Sequence, residues 1–74
     1  MWKNREFGEK LRMHRGDQGL TQSELGQLAG VSERTIRSLE KGRGTPSCET
    51  LYRLADGLSV AVEEIMPEQG EITA

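Results

Sequence analysis

Two helix-opening signals stand eleven residues apart in this chain, with one helix stop between them. Thr21 is followed three positions on by Glu24, the T-x-x-E pattern in which a hydroxyl and a carboxylate each satisfy a backbone N–H at a helix start. Leu25, Leu28 and Ala29 supply that helix with an apolar stripe, and Gly30 closes it. After only Gly30 and Val31, Ser32 caps a second helix, which Gly42 stops. A turn that short, containing glycine, sets two helices at a steep angle instead of folding them into an antiparallel hairpin. One helix then braces while the other projects.

The rest of the chain reads as further short helices. Phe7 and Leu11, four apart, predict a helix over about residues 5–15, ended by Gly16 and Gly19. Pro46 cannot continue a helix from the preceding turn, whereas Ser47 is placed to cap the next one. Leu51, Leu54, Ala55 and Leu58 recur there at helical spacing, and Val60, Val62 and Ile65 predict a last short helix before Pro67. No segment alternates as a strand would. The expected fold is all-α: five short helices around one aliphatic core, a single domain over residues 1–66, and a flexible acidic tail over 67–74. A chain of 74 residues buries only a thin core, so a partner copy is expected to help stabilise it.

Charge at first argues against nucleic acid, since the net charge is −2. Its distribution reverses that reading. Residues 1–55 carry ten Lys/Arg against seven acids, while residues 56–74 carry five acids and no Lys or Arg. Phosphate responds to the local field of a surface, and here a mildly basic body precedes an acidic end. The single cysteine, Cys48, excludes an internal disulfide and fits a reducing cytosol. No run is long enough to span a membrane, and the polar start MWKNREFGEK does not read as a secretory signal, so a cytoplasmic protein is expected. One histidine and one cysteine far apart give neither a metal site nor a nucleophilic set. The expectation is therefore no enzyme, no cofactor, no metal and no small-molecule ligand.

The helix opened by Ser32 carries the functional signal. Residues on a helix rotate by about 100° each, so with Ile36 pointing inward, Leu39 and Glu40 share its side. Arg34, Arg37, Ser38 and Lys41 gather on the opposite face, with Glu33 on the flank. Arginine forks match the O6/N7 edge of guanine, and a carboxylate can accept from cytosine N4. Alone, such a face is an ordinary solvated helix surface. The tight turn, the caps and the inward Ile36 and Leu39 turn the reading toward a major-groove helix over 32–41, within a helix-turn-helix over about 21–42.

The run from Leu20 to Ile65 closely resembles the phage-repressor-like helix-turn-helix family, the XRE or Cro/lambda-repressor type. The matching elements are L-T-Q at 20–22, G-V-S at 30–32, Ile36 with Glu40 and Gly42, then Pro46-Ser47, Leu51, Ala55, Leu58 and Val60. The resemblance covers about residues 7–65. It implies a five-helix bundle that regulates transcription, probing a palindromic operator in double-stranded DNA as a homodimer. By position it implies a phosphate contact for Gln22, which also supports base contacts, and base contacts for Glu33, Arg34 and Ser38; Arg37 matches a more variable neighbour, and Ser32 falls within the same DNA-binding set. Backbone phosphate contacts fall to Lys41 and Arg43, and a structural ion pair to Arg15 with Glu40. The dimer surface is expected from Val62, Ile65 and Met66.

Several positions depart from that pattern. Gly26 replaces the usual small alanine, keeping close packing at a cost of about 0.5–1 kcal/mol in helix stability. His14 stands where an aliphatic core residue is usual and reads as a histidine at the core edge. Ala61 replaces a serine cap, leaving the last helix weakly anchored. Glu33 stands where glutamine or serine is commoner, and either selects a cytosine or repels the phosphate backbone. Trp2, Lys3 and Arg5 form an arm toward DNA or pack on the domain, and Cys48 reads as a bystander. With the acidic balance, Glu33 also keeps a second function open: a protein-interaction module on the same fold, with DNA binding weak or lost.

Overall fold

In the computed structural model, which describes residues 3–67, the chain forms five helices: α1 (Asn4–Asp17), α2 (Gln22–Ala29), α3 (Glu33–Glu40), α4 (Cys48–Leu58) and α5 (Val62–Ile65). No strand is present among the described residues. Both capping signals of the helix-turn-helix act as the sequence predicts. Thr21 Oγ1 accepts from Glu24 N at 3.0 Å, and the Glu24 carboxylate accepts from Thr21 N at 2.9 Å. Ser32 Oγ accepts from Thr35 N at 3.1 Å, and Ser47 Oγ accepts from Thr50 N at the same distance.

The turn between α2 and α3 is built on two glycines. Gly30 takes the left-handed conformation at φ 71°, and the carbonyl of Gly26 accepts from both Gly30 N at 2.8 Å and Val31 N at 3.0 Å. Gly26 itself is buried where the backbone doubles back: a Cβ there would lie 2.6 Å from the Val31 carbonyl oxygen. The missing side chain is thus what lets the turn close this tightly. Arg53 of α4 fastens the same turn, donating to Gly30 O at 3.3 Å while pairing with Glu49 at 2.7 Å.

α3 packs on α1 and α2, α4 covers α2, and α5 bridges α4 and α1. Phe7, Leu11, Leu25, Ile36, Leu54, Leu58 and Ile65 are completely buried, making one aliphatic core with a single aromatic ring. Leu28 departs from the expected stripe of α2 and is 59% exposed. That stripe centres on Leu25, Gly26 and Ala29, and a rotation of about 100° per residue carries Leu28 off its flank. α1 also runs further than the apolar spacing suggested, passing through Gly16 to Asp17. The stop comes at Gly19, φ 69°, where the Arg15 carbonyl collects Gln18 N and Leu20 N.

The C-terminal end brings a correction. Ile65 is completely buried in the chain's own core, so its side chain is not free to form a dimer surface. Val62 and Met66 remain half-buried at the core margin. Ala61 has no side-chain acceptor, but the Glu64 carboxylate accepts from Ala61 N at 3.3 Å, which keeps half of a cap. Lys10 Nζ donates to the Met66 carbonyl at 2.9 Å, tying the end of α5 to α1. Pro67, assigned to the flexible tail, is buried; the remainder of that tail and Trp2 lie outside the described residues. No described helix is long and apolar enough to cross a membrane.

Candidate nucleic-acid interface

α3 is eight residues long and splits sharply by face. Ile36 and Leu39 are buried and Glu40 is turned inward, while Glu33, Arg34, Arg37 and, past the helix end, Lys41 face outward. Local sequence dictates this: the inward set recurs at three and four residues, the period of a helix buried along one stripe.

Glu40 anchors the inward side. Arg15 donates to it from Nε at 2.6 Å and from Nη2 at 2.9 Å, and its Nη1 donates to the Leu20 carbonyl at 2.7 Å. The two side chains are 17% and 5% exposed. The hydrogen bond to Glu40 raises the Arg15 pKa above the usual arginine value, outweighing the opposing effect of burial. This is the pair expected between these two residues. Gln22, expected at a phosphate, also joins it: Nε2 donates to Glu40 Oε1 at 3.1 Å. One carboxylate therefore fixes α1, α2 and α3 relative to each other.

On the outward side the expected residues sort into three states. Ser32 is engaged as the cap of α3, its hydroxyl hydrogen going to Thr35 Oγ1 at 2.9 Å. Glu33 and Arg37 form an ion pair one helical turn apart, Nη2 to Oε2 at 2.9 Å. Arg34, Lys41 and Arg43 are exposed and enter no ion pair among the described residues, and Ser38 is half-buried beside them.

Two hollows flank this face. In one, Arg15, Gln22 and Glu40 line the interior together with Arg12, Arg37 and Lys41. In the other, Arg34, Ser38 and Arg43 meet Thr45, Ser47 and Thr50 from the loop and the start of α4. Each hollow thus carries cationic groups on one side of α3, with hydroxyls abundant in the second. Sequence reasoning missed Arg12 and the hydroxyls of Thr45 and Thr50. Arg12 follows Gly8 by four residues on α1, and a Cβ on Gly8 would strike the Leu39 carbonyl oxygen. That spacing places Arg12 on the side of α1 that meets α3, but only the packing reveals it. Loop residue Thr45 is held by donation to Asn4 Oδ1 at 2.9 Å.

His14 is half-buried at the core edge, as expected, and Cys48 is exposed. Among the described residues no three His, Cys, Asp or Glu side chains come together as a metal site would require.

The family model for the helix-turn-helix domain matches residues 6–66. Two Bacillus subtilis proteins are similar: the HTH-type transcriptional regulator RghRB, 41% identical over 69 residues, and the HTH-type transcriptional repressor RghR, 39% identical over 67 residues. These alignments cover 92% and 89% of this chain, which spans about half the length of either relative, 50% in each case. Among solved structures, the restriction-modification controller protein C.AhdI from Aeromonas hydrophila superposes with a TM-score of 0.82 at 28% identity. That match covers 85% of this chain and 96% of that one. The N-terminal DNA binding domain of SinR from Bacillus subtilis superposes with a TM-score of 0.80, also at 28% identity, over 90% and 99% of the two chains. From the tight turn on Gly26 and Gly30 to the extent of these matches, the chain belongs to the helix-turn-helix domain family, with the lambda-repressor-like fold.

Proposed function

We propose that this chain is a sequence-specific transcriptional regulator, acting as a repressor, that inserts the outer face of α3 into the major groove of double-stranded DNA. The observation carrying this reading is the division of α3 by face. Every inward side chain is held, while Arg34, Lys41 and Arg43 stand exposed, without ion-pair partners among the described residues, beside two cationic hollows. Hollows on both sides of a groove-width helix suit the two phosphate strands that border a major groove. The name of RghR as a repressor and that of the SinR domain as DNA binding support the same reading.

The working form is a homodimer on a pseudo-palindromic operator, with half-sites about 34–36 Å apart. Its surface uses Val62 and Met66 at the margin of α5, with Ile65 supporting them from the core. The test is selection from a random duplex pool, with binding of the selected site measured against salt. Enrichment of a two-fold symmetric site, and affinity falling steeply as salt rises, is the expected result. No binding to any duplex at low salt would leave a protein-interaction module on this fold. Sedimentation showing a monomer at high micromolar concentration would remove the homodimer.

A further inference from the structure

The Glu33–Arg37 pair has a chemical pattern that neither residue has alone. Glu33 stands in the first turn of α3 and Arg37 one turn on, both about half exposed, with Arg37 Nη2 donating to Glu33 Oε2 at 2.9 Å. That bond uses one of the five guanidinium hydrogens and one carboxylate oxygen. Among the described residues no other hydrogen bond engages either side chain, so further N–H donors of Arg37 remain beside an acceptor, Oε1, on Glu33. In the major groove a G·C pair offers two acceptors, guanine N7 and O6, followed by one donor, cytosine N4. Donor, donor, acceptor on the protein meets acceptor, acceptor, donor on the base pair.

We infer that Glu33 and Arg37 act as one reading unit for a single G·C base pair, Arg37 on guanine and Glu33 on cytosine N4. The inference rests on the DNA-binding reading above. It assigns Glu33 a role that its charge alone would not suggest. A free carboxylate on the reading face would repel phosphate, but Arg37 neutralises it and orients it toward the one donor that a G·C pair presents in the major groove. Each member also fixes the other: a guanidinium tethered at Nη2 samples fewer rotamers, so less freedom is lost when it docks. The pair is electrically neutral, which leaves phosphate attraction to Lys41, Arg43 and Arg12.

Site selection from a random duplex pool, run in parallel on wild type, Glu33→Gln, Arg37→Gln and the charge-swapped E33R/R37E, tests this. Thermal melting of each variant checks that the exposed substitutions leave the fold intact. The expected result is that wild type prefers G·C at one position per half-site by about tenfold or more. Both single variants flatten that same position and no other, and Glu33→Gln gains affinity for mixed duplex at low salt. The swapped variant keeps an ion pair and the fold yet loses the preference. Flattening at two different positions, an unchanged preference in Glu33→Gln, or a preference other than G·C at the shared position would overturn the unit. Failure of wild type to enrich any site would instead sink the DNA-binding reading itself, so the two failures are told apart by the wild-type arm.

Discussion

Arg15 grips Glu40 with two donors at once, Nε at 2.6 Å and Nη2 at 2.9 Å, across the packing of α1 on α3. Neither side chain sees much water, so the pair is a joint whose halves cannot be removed independently. Replacing Arg15 by alanine leaves the Glu40 carboxylate with the single donor of Gln22 and is expected to cost about 3 kcal/mol in unfolding free energy by urea titration. Glu40→Gln keeps an amide oxygen for Arg15 and should lose less. Equal losses would mean that the charge, not the hydrogen bonding, holds the joint.

The same joint predicts an absence of pH dependence. The Arg15 pKa is raised in the folded state, first by the hydrogen bond to Glu40. A raised pKa stabilises fully below the unfolded value and is lost only as pH climbs through the folded one. For arginine both lie far above the neutral range. The difference in melting temperature between wild type and Arg15→Ala should therefore stay constant from about pH 7 to about pH 9. A difference that shrinks over that window would assign the stabilisation to some other group.

Gly26→Ala sets two effects against each other. Alanine is the better helix former by about 0.5–1 kcal/mol, but its Cβ would sit 2.6 Å from the Val31 carbonyl oxygen. Backbone cannot yield as a side-chain tip can, so the clash is expected to win, with a net loss of about 1–3 kcal/mol. A raised denaturation midpoint would show instead that the turn opens without penalty.

At the interface, exposed cations and base readers should fail differently. Lys41→Ala and Arg12→Ala are expected to weaken binding to all duplexes and to reduce the slope of log affinity against log salt by about 0.9 each. Arg34→Ala should cost about 1–3 kcal/mol on the selected site and relax one base position. Isothermal titration on selected and scrambled duplexes separates the two patterns. A uniform loss for Arg34→Ala would reassign it to phosphate.

Much of this fold was legible because its punctuation is local. Thr21, Ser32 and Ser47 bond to backbone N–H groups three residues away, and such bonds depend on spacing alone. α1 runs past its expected end because Gly16 keeps helical backbone, and the chain first turns left-handed at Gly19. Ile65 was misplaced for a different reason: periodicity marks an apolar side chain for burial but does not say whether its own core or a partner buries it. The inward Glu40 was readable from helical rotation, whereas the bond from Gln22 to Glu40 spans two helices and needs the packed structure. The four-residue spacing of Glu33 and Arg37 is plain in the sequence, but spacing alone does not say whether two such side chains pair or act apart.

The two-faced construction of α3 has a consequence for change over time. Ile36, Leu39 and Glu40 hold the helix, and none of them is among the outward Glu33, Arg34, Arg37 or Lys41. The outward residues touch little that the fold depends upon, so they can be exchanged one by one without first solving a packing problem. A scaffold arranged this way can be rewritten at its surface while its interior stands still, and a drifting lineage or a protein engineer can explore new target sequences at almost no structural risk.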